Sequence, residues 1–196
     1  MDQTIRTFVC VEIPASVRDR IEQLQRQLAA LRADVSWTKK SNLHLTLKFL
    51  GHISAAQVEN VCRIVQQAAA GSESFDLQLS GTGSFPNQRN PRVLWIGLAE
   101  APQVFKELYT SIDFGLSSVG FPQESRPFAP HLTIGRVKSN RNVASLVQPL
   151  IAGGFHSEPF GIRDVVVMKS QLKRSGAIYS PIKIFPLKTT QGAAFL

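Results

Sequence analysis

Two histidines of this chain, His44 and His131, open the same short motif. Each is followed by leucine and then threonine, at residues 44–46 and 131–133. An imidazole has an ordinary pKa of about 6.5, so near neutral pH one can accept a proton while another donates one. Such a pair suits cleavage of a phosphodiester, because the attacking oxygen must lose a proton and the leaving oxygen must gain one. This chemistry requires no metal ion.

The threonines of the two motifs are the next candidates. Side chains two positions apart on a strand point to the same face, so Thr46 accompanies His44 and Thr133 accompanies His131. Their hydroxyls can donate hydrogen bonds to phosphate oxygens, where charge accumulates in the transition state. The same alternation places Lys48 on the His44 face, as a phosphate contact or an ordinary strand-end lysine, and Phe49 on the opposite, core-facing side.

A repeat strengthens the functional interpretation of these motifs. One His-Leu-Thr arises by chance in roughly one chain in fifty of this length, so a single motif says little. Here the two motifs are separated by 131 − 44 = 87 residues, and the same offset places Phe8 on Trp95. Each half is predicted to run strand, helix, strand, helix, strand. We therefore expect two similar lobes, related by an approximate twofold, that bring the histidines face to face.

Hydrophobic periodicity predicts the elements that carry the motifs. One helix opens at residues 14–16, and Ser54 is the predicted N-cap of the next. Residues 81–92, rich in glycine, proline and asparagine, are predicted to form a loop. The predicted strands are 7–13, 35–38, 43–50, 75–79, 93–98, 131–137, 162–168 and 178–187, and the two later helices lie around 104–112 and 143–150.

Composition narrows the class of protein. The chain has 196 residues, 43% of them hydrophobic, and a formal net charge of +8. Its size allows one compact domain or two lobes that share a core, and its charge favours a polyanionic partner. It has no apolar run of the roughly 18 residues that a membrane span needs. Cys10 and Cys62 lack the spacing of a zinc or redox site and, as buried thiols, indicate a reducing cytoplasm.

The two histidine motifs resemble those of a known family. Residues 44–51, HLTLKFLG, and 131–136, HLTIGR, are similar to the paired motifs of the two-histidine phosphoesterase superfamily. The segments at 6–9, 91–95 and 128–130, together with Trp37, resemble its branch of bacterial RNA 2′,3′-cyclic phosphodiesterases, historically called 2′-5′ RNA ligases (LigT-like). The resemblance extends over nearly the whole chain.

The resemblance implies an α+β fold and a reaction. Residues 1–196 would form a single bilobal domain, with two pseudo-twofold-related lobes, mainly antiparallel sheets lining a central cleft, and helices outside. It also implies hydrolysis of a terminal 2′,3′-cyclic phosphate of RNA to a 2′-phosphomonoester. By that analogy His44 would be the general acid and His131 the base, with the roles exchanged in the reverse direction. The expected partners are RNA ends, including transfer RNA fragments, or cyclic nucleotides, and we expect a monomer without cofactor or metal.

Several further residues are weaker candidates. The family motif has an arginine at the position of Arg136, yet strict alternation turns it away from His131 unless Gly135 permits a bulge. Arg126 is a second candidate for phosphate binding. His52 and His156 lack a counterpart in the other half and are expected at the surface. Candidates for stacking a terminal base are Trp37, Phe85 and Phe128.

Two other functions compete with hydrolysis. The same site could serve mainly in 2′-5′ ligation, which reverses the transesterification with a 5′-hydroxyl in place of water. Alternatively, the chain could be a non-catalytic, basic RNA-binding module. An acid–base pair predicts a bell-shaped pH–rate profile, whereas binding alone predicts salt dependence without turnover.

Overall fold

A computed structural model describes residues 4–174 and 176–189. The helices are α1 (Ala15–Ala29), α2 (Ala55–Gly71), α3 (Gln103–Ser117) and α4 (Val143–Gly153), and Lys40–Asn42 form a 3₁₀ turn. The strands are β1 (Ile5–Glu12), β2 (Val35–Trp37), β3 (His44–Ile53), β4 (Phe75–Leu77), β5 (Leu79–Phe85), β6 (Val93–Leu98), β7 (Leu132–Val137), β8 (Phe160–Ile162), β9 (Asp164–Lys173) and β10 (Gly176–Pro186). No helix among these residues is long and apolar enough to cross a membrane.

The helices follow their apolar periodicity and their caps. α1 buries Val17, Ile21 and Leu28 on one face, as its spacing predicts. α2 begins at the predicted N-cap, where Ser54 and Gln57 form a capping box. The Gln57 backbone N–H donates to Ser54 Oγ at 3.3 Å, and the Ser54 N–H donates to Gln57 Oε1 at 2.9 Å. Two otherwise unpaired N–H groups are satisfied in this way, which fixes the start of the helix.

Two four-stranded sheets and a small two-stranded one make up the described β-structure, and all paired strands are antiparallel. The strand orders are β10-β9-β1-β3 and β2-β7-β6-β5, and β4 pairs with β8. With the helices, they form the expected bilobal α+β fold. The lobes are not self-contained, however. β2, from the first half of the chain, pairs with β7, and β9 and β10, from the second half, complete the sheet of β1 and β3.

A β-bulge interrupts each motif strand at the same point. Val9 pairs with Lys48 and Cys10 with Thr46, so Leu47 is an extra residue in β3. In β7, the residues opposite Leu94 and Trp95 are Gly135 and Thr133, so Ile134 is extra. The two bulges are 134 − 47 = 87 residues apart, the offset of the motifs themselves. The bulge is therefore part of the repeated unit.

The bulges overturn the alternation that the sequence predicted beyond each threonine. Lys48 does not share the His44 face: it is buried in the interior, where it pairs with Asp113. Phe49 is not a core anchor, since it is 51% exposed and faces the cleft. Because an extra residue reverses the alternation of the side chains that directly follow it, Arg136 also turns toward the cleft, whose lining it joins. A bulge that re-aims Arg136 is thus present, with Ile134 rather than Gly135 as its extra residue.

The predicted loop at 81–92 is wrong over its first residues. β5 continues through Gly81 and Gly83 to Phe85 and pairs with β6. Glycine is required at position 83, because a Cβ there would lie 2.2 Å from Trp95 Cζ2. The glycines that suggested a loop thus include one that lets an aromatic side chain lie against a strand.

Candidate active site

A cavity of about 160 Å³ lies between the two motif strands. It is lined by the two motif histidines, the two motif threonines and the predicted arginine, namely His44, His131, Thr46, Thr133 and Arg136. Six further residues complete its lining, and they are Arg6, Phe8, Thr38, Asn42, Phe49 and Tyr179. The fold thus brings together two motifs that are 87 residues apart in the sequence.

Both imidazoles are held by backbone carbonyls in the same way. His44 Nδ1 lies 2.7 Å from the carbonyl oxygen of Asn42, and His131 Nδ1 lies 2.9 Å from that of Ala129. A carbonyl can only accept, so Nδ1 donates a proton in each ring. In the neutral rings Nε2 is then the unprotonated nitrogen. His44 Nε2 lies 3.0 Å from Thr46 Oγ1, which places the motif's hydroxyl beside its free nitrogen.

Aromatic side chains enclose the His44 ring. Phe8 stacks on it with 4.8 Å between centroids, and Tyr179 meets it edge-on at 5.4 Å. This burial lowers the pKa of His44 below its ordinary value, although the Asn42 carbonyl and the nearby Glu12 oppose the shift. The neutral form of His44 is therefore favoured in the free protein.

The burial of His44 predicts a shifted titration. In an NMR titration of the ring protons, we expect the midpoint of His44 below the ordinary value of about 6.5, since burial disfavours the charged ring. Tyr179→Ser removes one of the enclosing rings and should move the midpoint upward. A wild-type midpoint at or above the ordinary value, or no upward movement in the variant, would contradict this account.

The cavity is lined by cationic as well as aromatic side chains. Arg136 reaches it through the bulge in β7. Arg6 Nη1 donates to Ser170 Oγ at 2.8 Å, and its guanidinium lies 4.6 Å from the ring centroid of Phe49. Among the described residues that line the cavity, none is acidic. Two guanidinium groups without carboxylates favour an anionic ligand, and phosphate matches their hydrogen-bonding geometry.

Sequence reasoning missed part of this lining. Tyr179 lies on β10, far along the chain from either motif, and no local pattern distinguishes it. Phe49 was assigned to the core because alternation assumed a regular strand. Arg6 was noted only as part of a family-like segment. Only the pairing of β1, β3, β9 and β10 brings these residues together.

Other sequence candidates lie away from the cavity lining. Arg126 is exposed outside it, and the Trp37 ring packs over Gly135. Phe128 stacks on Tyr109, with 3.8 Å between centroids. Phe85 is the stacking candidate nearest the motifs, edge-on to His131 at 4.9 Å, although it is not among the lining residues.

The other potential ligands do not assemble around the motifs. His52 and His156 are exposed, and His156 Nδ1 lies 3.1 Å from Ser80 Oγ. Within residues 4–174 and 176–189, no three histidine, cysteine or acidic side chains gather as metal ligands would. The chemistry-bearing groups in the cavity are therefore imidazoles, hydroxyls and guanidinium groups.

This fold, with a histidine motif from each half in one cavity, defines a class of two-histidine phosphoesterases. A family model described as LigT like Phosphoesterase matches the chain twice, over residues 11–95 and 96–179. The chain belongs to this family, and it is accordingly a phosphoesterase. The two matches divide the chain close to the point where its repeat begins again.

Relatives of nearly equal length share one name. Proteins of Methanothermobacter thermautotrophicus and Archaeoglobus fulgidus, each called RNA 2′,3′-cyclic phosphodiesterase, are 33% identical to this chain over 186 residues. The alignments cover 93% and 92% of this chain and 99% of each relative. A similarly named Thermus thermophilus protein is 29% identical over 195 residues. Archaeal as well as bacterial proteins thus share the resemblance.

Solved structures show the same fold. The Thermus thermophilus protein TT0787 superposes with a TM-score of 0.82 at 24% identity, covering 94% of this chain and 99% of that one. E. coli LigT complexed with 3′-AMP superposes with a TM-score of 0.75 at 23% identity and the same coverage. The fold therefore persists where the sequences have diverged widely.

Proposed function

We propose that this protein hydrolyses the terminal 2′,3′-cyclic phosphate of RNA to a 2′-phosphomonoester, without a metal ion, using His44 and His131 as an acid–base pair. One observation carries the proposal: two imidazoles, each with Nδ1 bonded to a backbone carbonyl, line one cavity that contains no carboxylate among its described lining residues. In each ring Nε2 is thereby the nitrogen left to transfer a proton, and at His44 it lies beside the Thr46 hydroxyl.

The proposed reaction uses one proton transfer at each histidine. Neutral His131 accepts a proton at Nε2 from a water molecule whose oxygen attacks phosphorus. The bond from phosphorus to the 3′ oxygen breaks, and His44 in its protonated form donates its Nε2 proton to that oxygen. Burial makes this form the less populated one in the free protein, and the negative charge of the bound phosphate stabilises it. The phosphate remains on the 2′ oxygen, and exchange with solvent restores both rings. In the reverse direction the two roles exchange.

The remaining lining residues would bind the phosphate. The hydroxyls of Thr46 and Thr133 can donate to its non-bridging oxygens, and Arg136 can balance their charge. Arg6 supplies a second cation in a fixed position, because Ser170 and Phe49 hold its guanidinium. Phe49, half exposed, offers a ring on which a terminal base can stack.

RNA is the substrate class that the relatives and the charge support. Relatives of nearly full length bear the name RNA 2′,3′-cyclic phosphodiesterase. The formal net charge of +8 favours a polyanion.

We propose the whole chain as the functional unit, since each sheet is completed by strands from the other half. We also propose a cytoplasmic location, with which the two free cysteines, Cys10 and Cys62, are compatible. The proposed oligomeric state is a monomer.

A defined RNA oligonucleotide tests the proposal. The purified protein is incubated in EDTA with an RNA that ends in a 2′,3′-cyclic phosphate, and the position of the product phosphate is identified. We expect a 2′-phosphate, while the same RNA ending in a linear 3′-phosphate stays unchanged. A second RNA with a 5′-hydroxyl is included to detect 2′-5′ ligation. A cyclic end that binds but is not opened would instead indicate an RNA-binding module.

A further inference from the structure

The segment that leads into His131 needs external support. Residues 121–130, all of which the structure describes, form neither helix nor strand between α3 and β7. This segment nevertheless contributes the Ala129 carbonyl that accepts the Nδ1 proton of His131. The position of the segment therefore determines which ring nitrogen of His131 is free and where it points.

A buried ion pair fastens the start of this segment to the other motif strand. Lys48 Nζ, on β3, donates to Asp113 Oδ1 at 2.5 Å and to the carbonyl oxygen of Pro122 at 2.7 Å. Asp113 Oδ2, on α3, accepts from the backbone N–H of Glu124 at 3.2 Å. The side chains of Lys48 and Asp113 are only 5% and 10% exposed. One pair thus joins the His44 strand, a helix and the segment before His131.

The end of the segment rests on the same face of α3. Phe128, next to Ala129, stacks on the Tyr109 ring at 3.8 Å with only 10° between the planes. Tyr109 lies four residues before Asp113, so both contacts fall on one side of the helix. Three residues separate Glu124 from Phe128. So short a connection transmits a shift at the ion pair toward Ala129.

A glutamine performs the corresponding task in the first half. Gln25, on α1 and 6% exposed, donates through Nε2 to the carbonyl oxygens of Thr38 and Ile134, each at 2.8 Å. Thr38 precedes His44, and Ile134 is the bulge residue of β7. In each half, a buried polar residue on a helix therefore joins the segment before one histidine to the strand of the other. That residue is Gln25 in the first half and Asp113, paired with Lys48, in the second.

We propose that Lys48 is a positioning residue for His131 and that it acts through its pair with Asp113. The bulge at Leu47 serves this role, because it turns Lys48 from the cleft into the interior where it can reach Pro122. Gln25 is the corresponding positioning residue for His44, because it holds the segment that leads into that histidine. The effect on turnover rests on the proposed function, whereas the effect on the His131 ring does not.

The test replaces the ion pair by an apolar one, Lys48→Met with Asp113→Leu, which removes every bond of the clamp without leaving a lone buried charge. Long-range proton–nitrogen NMR spectra report which ring nitrogen of each histidine is protonated. We expect His131 to lose its single Nδ1–H tautomer while His44 keeps its own. On cyclic-phosphate RNA we expect kcat to fall about 10- to 100-fold and KM to change less than about threefold, as a misplaced catalytic group predicts.

Matched variants separate positioning from general loss of structure. Lys48→Arg keeps a charged donor at position 48, so His131 should keep its Nδ1–H tautomer. Glu22→Gln with Arg26→Gln removes an exposed ion pair and is the control for the loss of a charge pair elsewhere. Where the double variant does not fold, Asp113→Asn, which cannot keep both carboxylate bonds at full strength, is judged by the same spectra. A folded variant with an unchanged His131 tautomer would overturn the proposal. A wild-type protein inactive on cyclic phosphate would overturn the proposed function alone.

Discussion

Replacing either His44 or His131 with alanine is expected to lower kcat for cyclic-phosphate hydrolysis by about 10³-fold, within the range typical of a lost general acid or base. Each histidine has a different proton to transfer, and the described cavity-lining residues include no third imidazole that could replace either one. Because both transfers belong to one displacement, the double variant should lose little more than either single one. The two single variants and the double variant are compared with the wild type by their rates of hydrolysis of RNA with a cyclic end at several pH values.

The chain contains its own control for this experiment. It has four histidines, and the other two, His52 and His156, are exposed outside the cavity. His52 even lies on the same strand as His44. Alanine at either control position should leave kcat and KM within about twofold of the wild type, as expected for surface substitutions. Equal losses at a control and a motif histidine, or near-normal rates in both motif variants, would exclude the acid–base pair.

The motifs and the division into two lobes were predictable because they follow from local sequence and its repetition. His44 and His131 begin identical tripeptides, and Phe8 and Trp95 keep the same offset. Apolar spacing gave α1, and side-chain capping chemistry gave the start of α2 at Ser54. The two lobes follow from two copies of one strand–helix pattern. The α+β class was implied by the family resemblance, because alternating strands and helices alone would favour a parallel sheet.

The parts that escaped prediction depend on contacts between distant residues. No residue near Leu47 indicates a bulge in the sequence. A regular alternation was therefore assumed, and it placed Lys48 and Phe49 on the wrong faces of the strand. Tyr179 enters the cavity only because β9 and β10 add to the sheet of β1. Gly83 is of a residue type common in loops, and its place in β5 depends on Trp95, which packs against it from β6.

Lys48→Met is expected to reduce the free energy of unfolding by about 3–5 kcal/mol, the usual result of removing one partner from a buried ion pair. The substitution keeps the unbranched side chain but leaves the Asp113 carboxylate in the interior without its cation. It also leaves the Pro122 carbonyl without its donor. Urea unfolding measures the change, which should shift the midpoint and leave the denaturant slope unchanged. A reduction this large is a substantial share of the stability of an ordinary domain.

The companion variants show why the loss should arise from the stranded charge rather than from the missing contact. Lys48→Met combined with Asp113→Leu should recover stability to within about 1 kcal/mol of the wild type, since apolar packing can replace a buried pair. Pro122 and Glu124 are exposed, so water can bond the carbonyl and the N–H that lose their partners. Removing the exposed pair of Glu22 and Arg26 should cost less than about 1 kcal/mol. The same set of variants then distinguishes the effect of the ion pair on the free energy of unfolding from its effect on kcat. The double variant would be stable but slow, whereas a double variant as unstable as Lys48→Met alone would show that the interior cannot accept an apolar pair.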